Sequence, residues 1–332
     1  MIAPCYPDPM SESADTATET AWALHDGAAG NHRQASALAE ALGLTARDWP
    51  LSLAAPARWF APRRWPGSEA AFGANFSAAL QAPMPTWAIG CGRRAALATR
   101  LLHARGARTV QILDPRIDPQ HWDLVIAPEH DGLRGSNVLS LIGSLNPVDA
   151  TWLMNARMRF PELGNLPGPR TTILLGGPTD AVRFDRSAFE VLASKLEYTL
   201  ATEGGSVIVC GSRRTPREFA EFVRARYGES SAAVWMNNDD GENFYAGALA
   251  WADRIIVSPD SVNMMSEACA TSAPVFIAEP NRATGRVRRF IASLEASGRV
   301  RAQERHLGEF PVTPLAETAR IAAQVREFFR AR

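Results

Sequence analysis

The chain contains a single lysine, Lys195, so its 35 basic residues are almost all arginine. They are balanced by 35 acidic residues, and the formal net charge is +0. Without a net positive charge the chain lacks the bulk attraction that non-specific nucleic-acid binders rely on, and nucleic acid is not expected as a partner. Cysteine is scarce too. Cys5, Cys91, Cys210 and Cys269 are scattered, with no C-x-x-C pair and no histidine-rich tract. This argues against a disulfide framework and a zinc site and fits a reducing compartment. No apolar run of about 18 residues occurs, so no transmembrane helix is expected. Residues 1–20, rich in Pro, Ser, Thr and acidic side chains, lack the basic start and apolar stretch of a secretory signal and read as a loose tail. No D-x-D stands at a strand end and no carboxylate cluster is visible, so neither a metal nor a cofactor is expected.

What is present is length and apolar content. At 332 residues and 46% hydrophobic composition, the chain exceeds what one core usually serves, so two domains facing a cleft are expected. Short apolar runs alternate with helical patterns, as in parallel α/β sheets. The first Rossmann-like domain is read over 21–148, with strands at 21–24, 45–48, 86–89, 109–113 and 124–127 and helices over 34–42 and 93–105. The Gly/Ser/Asn-rich 133–148 and the segment 149–170 read as the interdomain connection. A second Rossmann-like domain spans 171–312, with strands at 171–175, 206–210 and 255–257, and a last helix within 313–332 crosses back to the first domain.

One stretch organises the second half. The run Ile255-Ile256-Val257 is short enough to be a core strand, and Pro259-Asp260-Ser261 stops it and offers capping side chains to the helix behind. The free N–H groups and positive dipole end of that helix suit a phosphate. Glu267, a turn or more further in, is placed to accept hydrogen bonds from a ribose diol; the plainer reading is a solvated residue at a capped βαβ corner. Gly176 and Gly177 after one strand, and Ser212, Arg213 and Arg214 after the next, open on the same sheet edge. With Ser261 they are read as a diphosphate cradle.

In the first half, the loop His25-Asp26-Gly27-Ala28-Ala29-Gly30-Asn31-His32 joins a strand to a helix. It is not G-x-G-x-x-G. Gly27, Gly30 and Asn31 let backbone approach a ligand, or form an ordinary tight turn. His32 and Asp26 are the candidate general bases, His32 being otherwise a polar residue at a helix start. His130 and Asp131 repeat this placement after a later strand, as an acid–base pair on the same side of the cleft or as a structural pair. The segment 57–66 interleaves Trp59, Phe60 and Trp65 with Arg58, Arg63 and Arg64, and either rests on an anionic membrane surface or is a loop pinned by its tryptophans.

The pattern Ala252-Asp253, Ile255-Ile256-Val257, Ser261, Ser266-Glu267-Ala268, Pro274-Val275 is similar to the donor-site segment of GT-B glycosyltransferases, in which the matching Glu holds the nucleotide ribose. A more extensive resemblance, over about residues 22–329, is to the mitochondrial-fission elongated-mitochondria family and its bacterial members. It rests on HDGAAGNHRQ (25–34), EHDGLRGSNVL (129–139), LLGGPT (174–179), GSRRTP (211–216), NFYAGALAWAD (243–253) and SPDSVNMMSEA (258–268). Phe244 departs from that family's Asn-Pro-Tyr turn. The resemblance implies two Rossmann-like domains in a GT-B-like arrangement. It also implies a metal-independent transfer of sugar from a nucleotide-diphosphate sugar to an unidentified acceptor, in the cytoplasm or peripherally on the inner membrane. Gly176, Gly177, Ser212, Arg213, Arg214, Ser261 and Glu267 would hold the donor, with Gly27, Gly30, Asn31 and His130 on the acceptor side. The alternatives are a non-catalytic membrane adaptor and a nucleotide-sugar epimerase or hydrolase.

Overall fold

The computed structural model describes residues 19–55, 57–228 and 232–332. The tail expected over 1–20 therefore lies outside the described residues except for Glu19 and Thr20, and Thr20 already opens the first strand. From β1 (Thr20–His25) the chain runs through the glycine loop into α1 (Ala29–Ala41), β2 (Thr45–Pro50), and the short helices α2 (Ala57–Phe60) and α3 (Ala74–Ala79). β3 (Trp87–Cys91), α4 (Arg93–His103), β4 (Arg108–Ile112), β5 (Leu124–Pro128) and β6 (Val138–Leu141) complete a parallel six-stranded sheet in the order β2-β1-β3-β4-β5-β6. β6 corrects the expectation that 133–148 is only connection. Its three apolar residues are hidden among Gly, Ser and Asn, yet it pairs with β5 in register, Val138 beside Val125.

After α5 (Ala150–Arg159), a second parallel sheet is built from β7 (Arg170–Leu174), α6 (Arg186–Glu203), β8 (Ser206–Cys210), α7 (Arg217–Tyr227) and β9 (Ala232–Trp235). Then follow α8 (Tyr245–Ala250), β10 (Arg254–Val257), α9 (Val262–Cys269), β11 (Val275–Ile277), α10 (Gly285–Ala296) and β12 (Val300–Ala302). The strand order is β12-β11-β10-β7-β8-β9. Helices cover both faces of such a sheet, so its inner strands are buried along their length rather than alternating in burial; every residue of β8 and β10 is buried. The amphipathic α11 (Glu317–Arg330) crosses back and sets Ile321, Ala322 and Val325 into the first domain's core beside Leu38 and Ile89.

These strand orders locate the ligand-competent crevices. The first sheet reverses direction between β1 and β3, and the second between β7 and β10. At a reversal the two following loops leave on opposite faces and open a crevice at the carboxyl ends of the strands. The loops that follow these strands hold Asp26 to Ala28, Gly92, Gly176-Gly177 and Ser258 to Ser261, and the first of them leads into Gly30, Asn31 and His32 in the first turn of α1.

Candidate functional site

α9 is the element on which both walls meet. Ser261 caps it, its Oγ accepting the Met264 N–H at 3.4 Å. Along its length α9 touches the first domain three times. Gly30 of α1 lies against Asn263, so closely that a Cβ there would stand 2.0 Å from Nδ2. The Ser144 N–H donates to Ser266 Oγ at 3.0 Å. Arg33 of α1 pairs through Nη1 with Oε1 of Glu267.

Glu267 is 1% exposed and both its oxygens are engaged, the second by Tyr245 Oη at 2.5 Å. Burial, then the adjoining carboxylate, pushes the Tyr245 hydroxyl well above its usual pKa, so it remains a donor. Burial opposes the charge on Arg33, but the paired Glu267 outweighs this and raises its pKa. In this conformation the carboxylate has no free face for a diol, and it is not the solvated corner residue of the plainer reading. Arg33 stands inside a motif quoted for resemblance, and nothing local marks it as a partner for a residue 234 positions away. Tyr245 sits in a turn that survives the missing proline, because Asn243 Oδ1 accepts its N–H at 2.9 Å.

The diphosphate cradle differs from expectation. The N–H groups of Gly176 and Gly177, read as facing a ligand, are occupied by Ser258 Oγ at 2.9 Å and Asp260 Oδ2 at 2.8 Å. The glycines serve close approach instead. A Cβ at Gly176 would fall 1.7 Å from Asp260 Oδ2, and one at Gly177 would fall 2.1 Å from the Arg214 carbonyl oxygen. Ser212 is likewise engaged, its amide donating to Thr215 Oγ1 at 2.9 Å and its Oγ accepting from the Arg214 amide at 3.2 Å. The groups that do face outward are the exposed Arg213 and Arg214, the latter 3.3 Å from Asp260. Burial raises the Asp260 carboxyl, against the lowering effect of Ser258, the Gly177 amide and Arg214.

On the first wall His32 lies beside two residues that no local signal in the sequence marks as its neighbours. Asp48 of β2 accepts from His25 Nε2 at 2.8 Å, and His32 Nε2 lies 3.2 Å from the same oxygen. The two imidazoles stack with centroids 4.5 Å apart. His25 Nδ1 accepts the Gly27 N–H at 3.1 Å, which fixes its proton on Nε2. His32 is about half exposed. Asp26, the other candidate base, holds the loop: its Oδ1 accepts from the Ala28 amide and from Asn31 Nδ2 at 2.9 Å. Gly27 has φ +83°, the left-handed conformation that glycine adopts without strain. Asn31 is used in packing, its Oδ1 facing Cys91 Sγ at 3.6 Å across the β1/β3 reversal.

The ligand atoms of His25, His32 and Asp48 lie within 4.8 Å of one another, a spacing open to a metal ion. A metal on His25 Nε2 would need the ring proton on Nδ1, where the Gly27 N–H already points, so the donor set fits a His25–Asp48 hydrogen bond with His32 alongside better. Chelation with EDTA is accordingly expected to leave both the melting temperature and nucleotide binding unchanged. Loss of either, restored by zinc, magnesium or manganese, would assign the trio to a metal.

His130 is not an acceptor-side group in this structure. Its ring packs on Phe290 of α10 at 5.4 Å, its carbonyl accepts from Arg289 at 3.1 Å, and Asp131 pairs with Arg286 at 3.2 Å, making this turn a domain–domain contact. Burial, aided by Arg289 and opposed by Asp131, lowers the His130 pKa from 6.5. The unfolded chain then takes up the proton first, so stability falls as the pH drops through 6.5. Melting curves of His130→Gln should show a shallower loss below that pH than wild type; parallel curves would dissociate His130 from the acid response.

With this geometry in place, comparison with known proteins is informative. Residues 29–329 match the model of the family described as Mitochondrial fission ELM1. The chain belongs to that family. This ELM1-family chain is 29% identical over 278 residues to the mitochondrial fission protein ELM1 of Arabidopsis thaliana, a match covering 75% of it and 65% of the relative. It is 22% identical over 234 residues, 59% of its length, to the uncharacterized protein RP120 of Rickettsia prowazekii. It spans 65% of the length of each of these relatives. Among solved structures it is similar in fold to the UDP-GlcNAc 2-epimerase of Methanocaldococcus jannaschii, at TM-score 0.52 and 12% identity, covering 93% of this chain and 99% of that one. The corresponding Neisseria meningitidis enzyme, bound to UDP-GlcNAc, aligns at TM-score 0.53 and 8% identity over 94% and 100%. The fold is the two-domain α/β arrangement of these epimerases.

Proposed function

We propose that this ELM1-family protein is a metal-independent glycosyltransferase that binds a nucleotide-diphosphate sugar on the second domain and passes the sugar to an acceptor held by the first. One observation carries the reading: α1 and α9, which follow the strands at the reversal of each sheet, are in contact at their first turns through Gly30 and Asn263. A ligand bound beside this contact meets two helix amino termini, suited to a diphosphate, and the exposed Arg213 and Arg214. The similar Neisseria fold bound to UDP-GlcNAc supports a nucleotide sugar as the ligand class. In the transfer, Asp48, 3.2 Å from His32 Nε2, favours the protonated ring, and His32 Nδ1 takes the proton of an acceptor hydroxyl. The acceptor oxygen bonds to the anomeric carbon as the bond to the diphosphate breaks, and the departing charge falls on the α9 amides and the arginines.

A second reading keeps the fold without chemistry, as a membrane adaptor, and the engagement of both Glu267 oxygens favours it. A third, suggested by the epimerase folds, retains the donor site and epimerises or hydrolyses the sugar. A thermal-shift panel of uridine, guanosine, cytidine and thymidine diphosphate sugars tests the reading. A ligand at about 100 times its dissociation constant adds roughly 2.7 kcal/mol, a clear rise in melting temperature. A panel without any rise supports the adaptor.

Membrane contact belongs to either reading. No helix among the described residues is long and apolar enough to cross a membrane. At the first domain's surface, however, Trp59 is 61% and Phe60 56% exposed, beside a cavity of about 640 Å³ bordered by Arg63, Arg64 and Trp65. The segment is held rigidly: Arg93 and Arg100 donate to the carbonyls of Trp59, Ala61 and Pro62. Vesicles rich in anionic lipid should sediment the protein in a salt-sensitive way, and replacing Arg58, Arg63 and Arg64 by Ser should weaken this. Equal pelleting of both proteins would reduce the segment to a surface loop.

A further inference from the structure

Arg33 reaches from the first domain to a buried carboxylate of the second, and this contact sits where the donor-site reading places a ribose. The guanidinium side chain is 43% exposed, so solvent and ligand can reach it while Glu267 remains buried. α1 and α9 run alongside each other from the cleft, Gly30 opposite Asn263 near their amino ends and Arg33 opposite Glu267 one turn further on. Helical side chains tilt toward the amino terminus, so Arg33 needs to swing by about one turn, roughly 5.4 Å, to meet a group bound at the first turn of α9.

We infer that Arg33 exchanges partners on ligand binding: it neutralises Glu267 in the empty protein and transfers to the diphosphate when ribose hydroxyls take its place on the carboxylate. This rests on the donor-site reading and adds to it a specificity residue supplied by the opposite domain. A nucleoside alone must displace Arg33 and gives it nothing in return. A nucleoside diphosphate displaces it and rebinds it through charge-assisted hydrogen bonds. The exchange therefore makes the protein prefer diphosphates over nucleosides, and it links ligand binding to the relation between the domains.

The test is calorimetric titration of wild type, Arg33→Met and Arg33→Lys with uridine and uridine diphosphate, with the guanosine, cytidine and thymidine pairs in parallel. For the base that binds, Arg33→Met should bind the nucleoside at least as tightly as wild type and the diphosphate about 10-fold or more weakly, so that the ratio of the two affinities collapses. Arg33→Lys, which keeps the charge without the planar fork, should lie between them. Melting curves of the unliganded variants confirm that each is folded. An affinity ratio unchanged in Arg33→Met, with both ligands weakened or strengthened alike, makes the Arg33–Glu267 pair purely structural and overturns the inference while leaving the donor site intact. Absence of binding by wild type to every diphosphate removes the donor site itself and the inference with it.

Discussion

Replacing His32 by alanine should lower turnover by about 10²–10⁴-fold while donor affinity stays nearly unchanged. The reason lies in its contacts: His32 meets Asp48 and His25 of the first domain, whereas Glu267 and Arg214 belong to the second. Release of nucleoside diphosphate from the best-binding donor, with a membrane extract as the acceptor source, gives the rate. Asp48→Asn keeps the shape of the trio but weakens its hold on the ring, so it should reduce the same rate, and in the double variant its effect should be largely masked. Turnover of His32→Ala within a few-fold of wild type would remove the trio from the chemistry. It would then be a half-exposed polar cluster that ties the glycine loop to β2.

The second large effect concerns Glu267. On the proposed reading, in which ribose hydroxyls take the place of Arg33, Glu267→Ala removes their acceptor; each such bond is worth roughly 1.5–3 kcal/mol when made to a charged group, so nucleotide affinity should fall about 10- to 150-fold. It should also lower the melting temperature of the unliganded protein, because Tyr245 and Arg33 lose their shared partner. Breaking a buried pair costs about 3–5 kcal/mol, but Arg33 is 43% exposed and recovers water, so a loss of about 1–3 kcal/mol is expected. Glu267→Gln, which retains the contact with Tyr245, should recover part of the stability and less of the affinity. A well-folded Glu267→Ala protein with unchanged nucleotide affinity would favour the adaptor.

Local signals in the sequence are enough for α9: a short apolar strand, a stop at Pro259, a capping Ser261 and the helix behind. The same signals find β8, with its uninterrupted Val-Ile-Val-Cys run, and β7, where Ile173 and Leu174 follow two β-branched threonines. They miss β9 and β12, which lie at the edges of the second sheet. β12 has three residues, one of them arginine, and a strand paired on one side only needs little apolar sequence. The site was harder to read for a different reason. Glu267 and His32 are visible one at a time, but Arg33–Glu267 and the His25–Asp48–His32 trio exist only once domains and parallel strands are brought together. Gly176 and Gly177 show the remaining ambiguity: glycine frees an amide for a ligand or lets another group come close, and here Asp260 and the Arg214 backbone take the space.

Hydrogen–deuterium exchange, with and without the nucleotide-diphosphate sugar that most raises the melting temperature, tests the two-walled donor cleft most directly. Binding between the facing helix starts should slow exchange in residues 258–268 and in the first turn of α1 together, with little change in β5 or α7. Protection confined to a distant surface, or none at saturating ligand, would contradict a donor site at the meeting of α1 and α9.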